Sequence, residues 1–390
     1  MGTTSHNSPA ERAEAITGII AAESEAIHRG GRLTSAAHQA IVDADLFRVC
    51  GPTQVGGEEC DLAGTSAVAE ILGRADVSTG WLFVQANATV YNFGPRLEPA
   101  TAAEIFPGPA SVVAAGFPVG QARADVVDGG YRVTGRWDFA SGSLHSDWFD
   151  ARVAVYDQDE RKTTRSGIFG LMSCLVPREE VTLIDTWDVT GMRGTGSGTY
   201  TVDNVFVPTR RSVPMWEMAT QGSAGAFRIP ALTFAHIAFA SLTIGGASAA
   251  LERFTELAQA KTARQSRTPL RDQGTTQRVI GESHARLRAA SAYRTWVVDR
   301  LMASAATEGG VSLDDRAEAR LAVTSITETS LAVVETLYRV AGTTGIFQSS
   351  PLHRIFNDLH VMSQQLFARP FHYENVGRYL LGLEHDRSIL

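Results

Sequence analysis

The hydrophobic period of this chain changes twice, and that switch restricts its architecture more than any other feature. From Pro9 to about Pro107, apolar residues recur at helical spacing in Glu11 to Ala22, Leu33 to Ala44 and Leu62 to Arg74, the pattern of helices that each bury one face. Asp76-Val77-Ser78-Thr79 offers a helix cap before the mostly apolar run Gly80 to Val84. From about Pro109 the period shortens to that of strands. These run over Ser111 to Ala115, Ala122 to Val127, Tyr131 to Trp137, Asp150 to Tyr156, Gly170 to Val176, Val181 to Trp187 and Thr199 to Val207. Asp128-Gly129-Gly130 marks a hairpin turn between two of them. An antiparallel sheet of these strands needs a second layer to cover its apolar face.

After a polar, glycine-bearing linker at Ala219 to Ala226, the helical period returns. Alanine-rich stretches span Pro230 to Gln265, Thr276 to Ala303, Ser312 to Ala341 and Leu352 to Ala368. Helices this long are held by packing along their length in a bundle. The reading is a helical domain over 1–108, a β domain over 109–215 and a helical bundle over 216–390. Gly245-Gly246 sits inside the first bundle helix, where close packing is the expected role and a hinge the alternative.

Charge and composition exclude several classes. The 35 Lys+Arg against 42 Asp+Glu leave a formal charge of -7, so there is no general attraction to nucleic acid or an acidic membrane. Nearly all the positive charge is arginine, since Lys162 and Lys261 are the only lysines. Cys50, Cys60 and Cys174 show no CxxC spacing and read as buried thiols of a reducing compartment, with no metal site expected. The first residues contain no apolar leader, and no run of about 18 apolar residues stands out, so a cytoplasmic location is expected.

No GxSxG, phosphate-loop lysine, HExxH or strand-borne GxGxxG motif is present. Gly191-Met192-Arg193-Gly194-Thr195-Gly196-Ser197-Gly198 lies between two β segments and reads equally as a ligand-facing loop or a connector. Arg136 to Trp148 is richer. Trp137 and Trp148 flank a turn holding Ser141, Gly142 and His145. An aromatic wall beside small donors suits a flat redox ring, whereas the alternative is a turn packed by two core tryptophans. Gly342-Thr343-Thr344-Gly345 interrupts the bundle pattern, and Arg264, Arg267 and Gln277 gather near a helix end, where an arginine could clamp a phosphate.

Taken in order, these pieces resemble the acyl-CoA dehydrogenase superfamily, and within it the flavin-dependent monooxygenases that serve as oxygenase components of two-component hydroxylases. The matching segments are Gly51-Pro52 with Gly56-Gly57; Asp76 to Trp81; Gly135 to Gly142 with His145 and Trp148; Trp187 to Ser197; and Gly345 to Arg354. The resemblance implies an α+β fold with an N-terminal helical domain, a central antiparallel β domain and a C-terminal four-helix bundle, assembled as a homotetramer. It implies reduced FMN or FAD supplied by a separate flavin reductase, and oxygen transfer through a C4a-hydroperoxide to an aromatic or polycyclic small molecule. Carried over by residue, Ser141 and Gly142 would approach the isoalloxazine and Trp137 would wall its pocket. Thr343, Thr344 and Gly345 would approach the cofactor from a bundle, and Arg264 or Arg267 would meet its phosphate. Ser141 would be the donor near flavin N5 and His145 a substrate or peroxide contact.

One departure stands out. Relatives read R-D-L-H-x-x-S-Q-H near the last bundle helix, with the final histidine as base. Here the segment is Asn357-Asp358-Leu359-His360-Val361-Met362-Ser363-Gln364-Gln365. An amide at Gln365 orients a ligand but takes no proton near neutral pH. Either His360 or His145 takes that task, the substrate needs no base, or the flavin reaction differs. Two other readings stay open: acyl-CoA dehydrogenation, for which Tyr373-Glu374-Asn375 lacks the Gly-Thr found after the glutamate in several relatives, and a flavin-free binding or scaffold protein on the same fold.

Overall fold

The structure, a computed structural model, describes residues 7–162, 171–215, 225–262 and 267–387. The chain opens with five helices: α1 (Pro9–Gly30), α2 (Ser35–Asp43), α3 (Leu62–Ala75), α4 (Val77–Phe93) and α5 (Pro99–Ile105). Ser8 and Glu11 form a reciprocal cap at the start of α1, with Pro9 in its first turn, which satisfies otherwise orphaned N–H groups. Asp76 separates α3 from α4 and caps the latter: its Oδ1 accepts from Thr79 N at 2.7 Å and from Thr79 Oγ1 at 2.8 Å. Helix α4 is buried on nearly every side, so its sequence carries an apolar run and little amphipathic contrast.

The β layer contains β1 (Val113–Ala115), β2 (Phe117–Pro118), β3 (Arg123–Val127), β4 (Gly130–Ala140), β5 (Trp148–Asp157), β6 (Glu160–Arg161), β7 (Met172–Pro177), β8 (Thr182–Ile184), β9 (Gly198–Pro208) and β10 (Ser212–Pro214). They order as β10-β7-β5-β3-β4-β9-β8, with β1 and β6 added on β5 and β2 on β4. Most pairings are antiparallel, as expected; β1 and β3 each run parallel to β5. The β4–β9 ladder slips register between Trp137 and Ala140, where Phe139 adopts a φ of 62°. Such a bulge redirects side chains out of the regular alternation.

The chain then returns to helices: α6 (Ala231–Ala260), α7 (Gly274–Ala306), α8 (Leu313–Ala341), α9 (Pro351–Ser363) and α10 (Phe371–Leu380). Helices α6 to α9 pack as a four-membered bundle, and α6 also lies along α3 and α4. The Gly245-Gly246 pair makes no break in α6. A Cβ on Gly245 would sit 2.2 Å from Glu70 O, and one on Gly73 2.6 Å from Leu242 Cδ1, so these glycines let α3 and α6 touch backbone to backbone. Helix α6 is long and apolar enough to cross a membrane, contrary to the expectation of no such run. Its apolar window is 89% buried inside the fold, which accounts for that composition.

Helix α9 ends at Ser363, short of the expected Ala368. A 3-10 turn at Leu366–Ala368 follows, and Pro370 bars a continuous helix. Gln365 therefore stands in a connecting segment.

Candidate functional site

A cavity of about 580 Å³ opens where α4, the sheet, the start of α6 and the segment 361–369 converge. Helix α4 contributes Trp81, Gln85, Ala88, Thr89 and Asn92, whose spacing puts them on one face. The sheet side adds Phe117, Phe139, Ser141 and Arg152, and α6 adds Ala231, Leu232 and Ala235. Gln364, Gln365, Leu366, Phe367 and Arg369 close the remaining side.

At the junction of α4 and the sheet runs a chain of hydrogen bonds. Trp81 Nε1 donates to Ser141 Oγ at 2.9 Å. Ser141 Oγ lies 2.8 Å from Ser197 Oγ, which lies 2.6 Å from Thr195 Oγ1. Thr195 Oγ1 donates to Met192 O at 2.8 Å. Each hydroxyl has one proton, so the terminal carbonyl orients the whole row: Ser197 donates to Thr195, and Ser141 donates to Ser197. Ser141 can donate to a ligand only by turning its proton away from Ser197.

The loop Gly191 to Gly198, read equally as a ligand-facing loop or a connector, leads into β9 and borders the cavity. Met192, Thr195 and Ser197 line the cavity. Gly142, with φ of 78°, donates its N–H to Thr195 O at 2.9 Å, which locks the Ser141 turn to this loop. On the other side Met192 N donates to Asp358 Oδ1, and a Cβ on Gly191 would stand 2.2 Å from Asn357 O. Asp358 is buried; desolvation, with help from the Asp76 charge, pushes its pKa up to about 7.

Several expected site residues take other places. Trp137 does not wall the cavity. It is fully buried in the sheet core, stacks on Tyr200 at 5.0 Å and donates Nε1–H to Arg152 O. The aromatic wall belongs to Trp81, Phe117, Phe139 and Trp187. His145 also faces elsewhere. It stacks on His38 with ring centroids 4.8 Å apart beside a narrow recess, and burial, then His38, lower its pKa to about 4. His360 turns toward α8: its Nδ1 donates to Phe356 O at 2.7 Å, and Nε2 is 3.1 Å from Glu335 Oε1. Neither histidine lines the cavity, whereas Gln365 does, with its Oε1 accepting from Leu366 N.

Gly142 borders the same narrow recess as His145, behind Ser141. Thr343, Thr344 and Gly345 form a turn after α8, where Lys261 Nζ donates to Thr344 Oγ1 at 2.7 Å. These three and the exposed Arg267 do not line this chain's cavity; Arg264 lies outside the described residues. Glu374 is exposed in the first turn of α10 and does not line the cavity. Trp81 is the main residue sequence reasoning missed as a site group; its signal was the polar and small spacing 81, 85, 88, 89 and 92 within an apolar helix. Among the described residues no group of three His, Cys, Asp or Glu side chains could hold a metal.

Comparison with known proteins gives this geometry a context. Residues 237–370 match the family described as acyl-CoA dehydrogenase, C-terminal domain. The chain is 28% identical to indole-3-acetate monooxygenase of Pseudomonas putida, over 88% of this chain and 86% of that protein. It is 30% identical to the oxygenase subunit HsaA, a flavin-dependent monooxygenase of Mycobacterium tuberculosis, over 84% of each. The chain belongs to the flavin-dependent monooxygenases of the acyl-CoA dehydrogenase superfamily. The crystal structure of that HsaA superposes with a TM-score of 0.88, 25% identity and coverage of 98% of this chain and 99% of its own. XiaF from a Streptomyces species, in complex with FADH2 and glycerol, gives a TM-score of 0.88 at 26% identity, covering 96% and 95%.

A flavin-dependent monooxygenase must accept a flat tricyclic ring. The chamber's residues fit one: aromatic faces of Trp81, Phe139 and Trp187 and a row of three hydroxyls at the edge match apolar ring faces and a rim of polar atoms.

Proposed function

We propose that this monooxygenase inserts one oxygen atom into an electron-rich aromatic or polycyclic small molecule held in the chamber beside Ser141. Reduced FMN or FAD, delivered by a separate reductase, supplies the electrons and the means of activating dioxygen. The observation that carries this reading is the Trp81–Ser141–Ser197–Thr195 row set into an aromatic wall. The oxygenase component of the FADH2-dependent resorcinol hydroxylase of a Rhizobium species, 27% identical over 95% of this chain, supports both the reductase and the aromatic substrate.

In this reading the protein positions, dries and donates. Ser141 holds a ligand heteroatom at the flavin edge by rotating its proton from Ser197 to the ligand. Trp81 fixes the Ser141 oxygen, and Gly142 holds the Ser141 turn against the loop by donating its N–H to Thr195 O. Phe139, Trp187 and Phe367 exclude water, which strengthens those polar contacts. Gln365 orients the substrate by its amide. With no histidine on the cavity wall among the described residues, the favoured substrates are those oxidised without prior deprotonation by the protein.

Thr343, Thr344 and Gly345 serve, in this proposal, the flavin of a neighbouring subunit in a homotetramer, together with Arg264 or Arg267. Ile346 and Phe347 next to them are 58% and 61% exposed, an apolar surface that favours such an interface.

The test is turnover of phenols and indoles with reduced FMN or FAD under labelled dioxygen. One labelled oxygen atom in the product, lost or strongly diminished in Ser141→Ala, supports the proposal. Failure of both flavins to bind would instead favour a scaffold role. Flavin reoxidation without labelled product across the panel would remove the oxygen-insertion reading.

A further inference from the structure

Cys50 and Cys60 have no spacing that marks a redox motif, yet the fold sets them against each other. The segment 58–60 turns back on 49–51. Val49 O accepts from Glu58 N at 3.1 Å and Cys60 N at 2.9 Å, and Gly51 O accepts from Glu59 N at 3.0 Å. Backbone stretches joined in this way lie about 5 Å apart, inside the Cα separation that a disulfide spans. Each thiol shifts the pKa of the other, and Thr65 Oγ1 lies 3.0 Å from Cys50 Sγ. Gly64 leaves room for the pair, since a Cβ there would come within 2.7 Å of Cys60 Sγ.

The partners are unequal. Cys50 is buried, and desolvation pushes its pKa well up. Cys60 is half-buried, and the neighbouring Cys50 side chain lowers its pKa. A half-buried thiol with a lowered pKa, backed by a buried one, is the arrangement of a nucleophile and its resolving partner. Cys174, by contrast, is buried within the sheet core.

We infer that Cys50 and Cys60 are a modification site at which hydrogen peroxide closes a disulfide in the folded protein. The Cys60 thiolate attacks one peroxide oxygen and the O–O bond breaks, leaving Cys60 as sulfenic acid. The departing hydroxide takes up the proton that Cys60 had released and becomes water. Cys50 sulfur then attacks the sulfenic sulfur, the S–O bond breaks, and the Cys50 proton leaves with that hydroxyl as a second water. Two thiols lose two electrons in all, and one peroxide becomes two waters. Peroxide arises wherever reduced flavin meets dioxygen without oxygen transfer, but added peroxide suffices, so the site stands independently of the proposed hydroxylation. Cys50 N donates to Asn87 Oδ1 at 3.0 Å, which ties the pair to α4, the helix that carries Trp81.

The experiment treats the folded full-length protein with a small excess of hydrogen peroxide, alkylates the remaining thiols and maps the peptides by mass spectrometry. The expected result is a Cys50–Cys60 cross-link, two hydrogens lighter than the free peptides and split by dithiothreitol. Cys50→Ser should instead accumulate sulfenic and sulfinic acid at Cys60, with its fold checked by circular dichroism. Conversion of wild-type Cys60 to sulfinic acid without a cross-link would overturn the inference. So would a cross-link that forms only after denaturation, or no oxidation at either thiol.

Discussion

Trp81 on α4 donates its indole N–H to Ser141 Oγ, 2.9 Å away at the end of β4. The bond joins the helical and β layers at the cavity and fixes the Ser141 oxygen on its wall. Ser141 accepts from Trp81 while it donates to Ser197, in the direction that Met192 O sets for the row.

Replacing Trp81 with Phe keeps an aromatic face and deletes that donor. One neutral hydrogen bond contributes about 1 kcal/mol, so the folded protein should persist with a modest loss of stability. The expected change is a several-fold rise in peroxide released per product formed, measured as the ratio of peroxide to hydroxylated product. An unchanged ratio would mean that Ser141 is positioned without Trp81.

Gln365→His introduces a titratable ring on the cavity wall. The variant should add a limb to the pH profile of kcat/KM between about pH 6 and 7, the range of an ordinary histidine. A profile identical to the parent, with substrate binding also unaltered, would place residue 365 outside the working part of the chamber.

Asp358 makes stability depend on pH in an unusual direction for a carboxylate. Its folded pKa, about 7, lies above the ordinary 3.8, so between these values the folded state holds a proton that the unfolded chain has released. Its contribution is complete below the unfolded pKa and is lost as pH rises through the folded one. Asp358→Asn keeps an acceptor for Met192 N and removes the titration. Its Tm should be flatter than that of the parent from about pH 5 to 8, with the largest relative gain at the alkaline end. Parallel Tm curves would show that Asp358 is ionised in the folded protein across that range.

Gly245→Ala tests the contact between α3 and α6. The added methyl would meet Glu70 O at 2.2 Å, and overpacking of this kind costs about 1–3 kcal/mol, several degrees in Tm. Gly281→Ala, on a part of α7 with open space around it, should be neutral or slightly stabilising. Equal melting temperatures for the two variants would show that the helices separate freely at Gly245.

The layer order was legible because the period switch reflects how helices and strands bury their faces, and Asp76 and Ser141 could be placed from local pattern. The direction of the side chains around Ser141 was not. Alternation along β4 breaks at the bulge near Phe139, so Trp137 enters the sheet core while Phe139 reaches the cavity. The histidines were misplaced for a different reason. The partners that hold them, His38 for His145 and Glu335 for His360, come from distant parts of the chain, and no local spacing announces them. The closeness of Cys50 and Cys60 depends on a turn between them that carries no recognisable redox signature.

Helix α6 divides its labour along its length. Leu232 and Ala235 near its start form one wall of the cavity, and Gly245, about 15 Å farther along at 1.5 Å per residue, is seated on Glu70 of α3. Selection for a new substrate can therefore redesign the first two turns while the distant clamp maintains the alignment of the scaffold. That separation offers an evolutionary route to altered chemical preference without first loosening the enzyme.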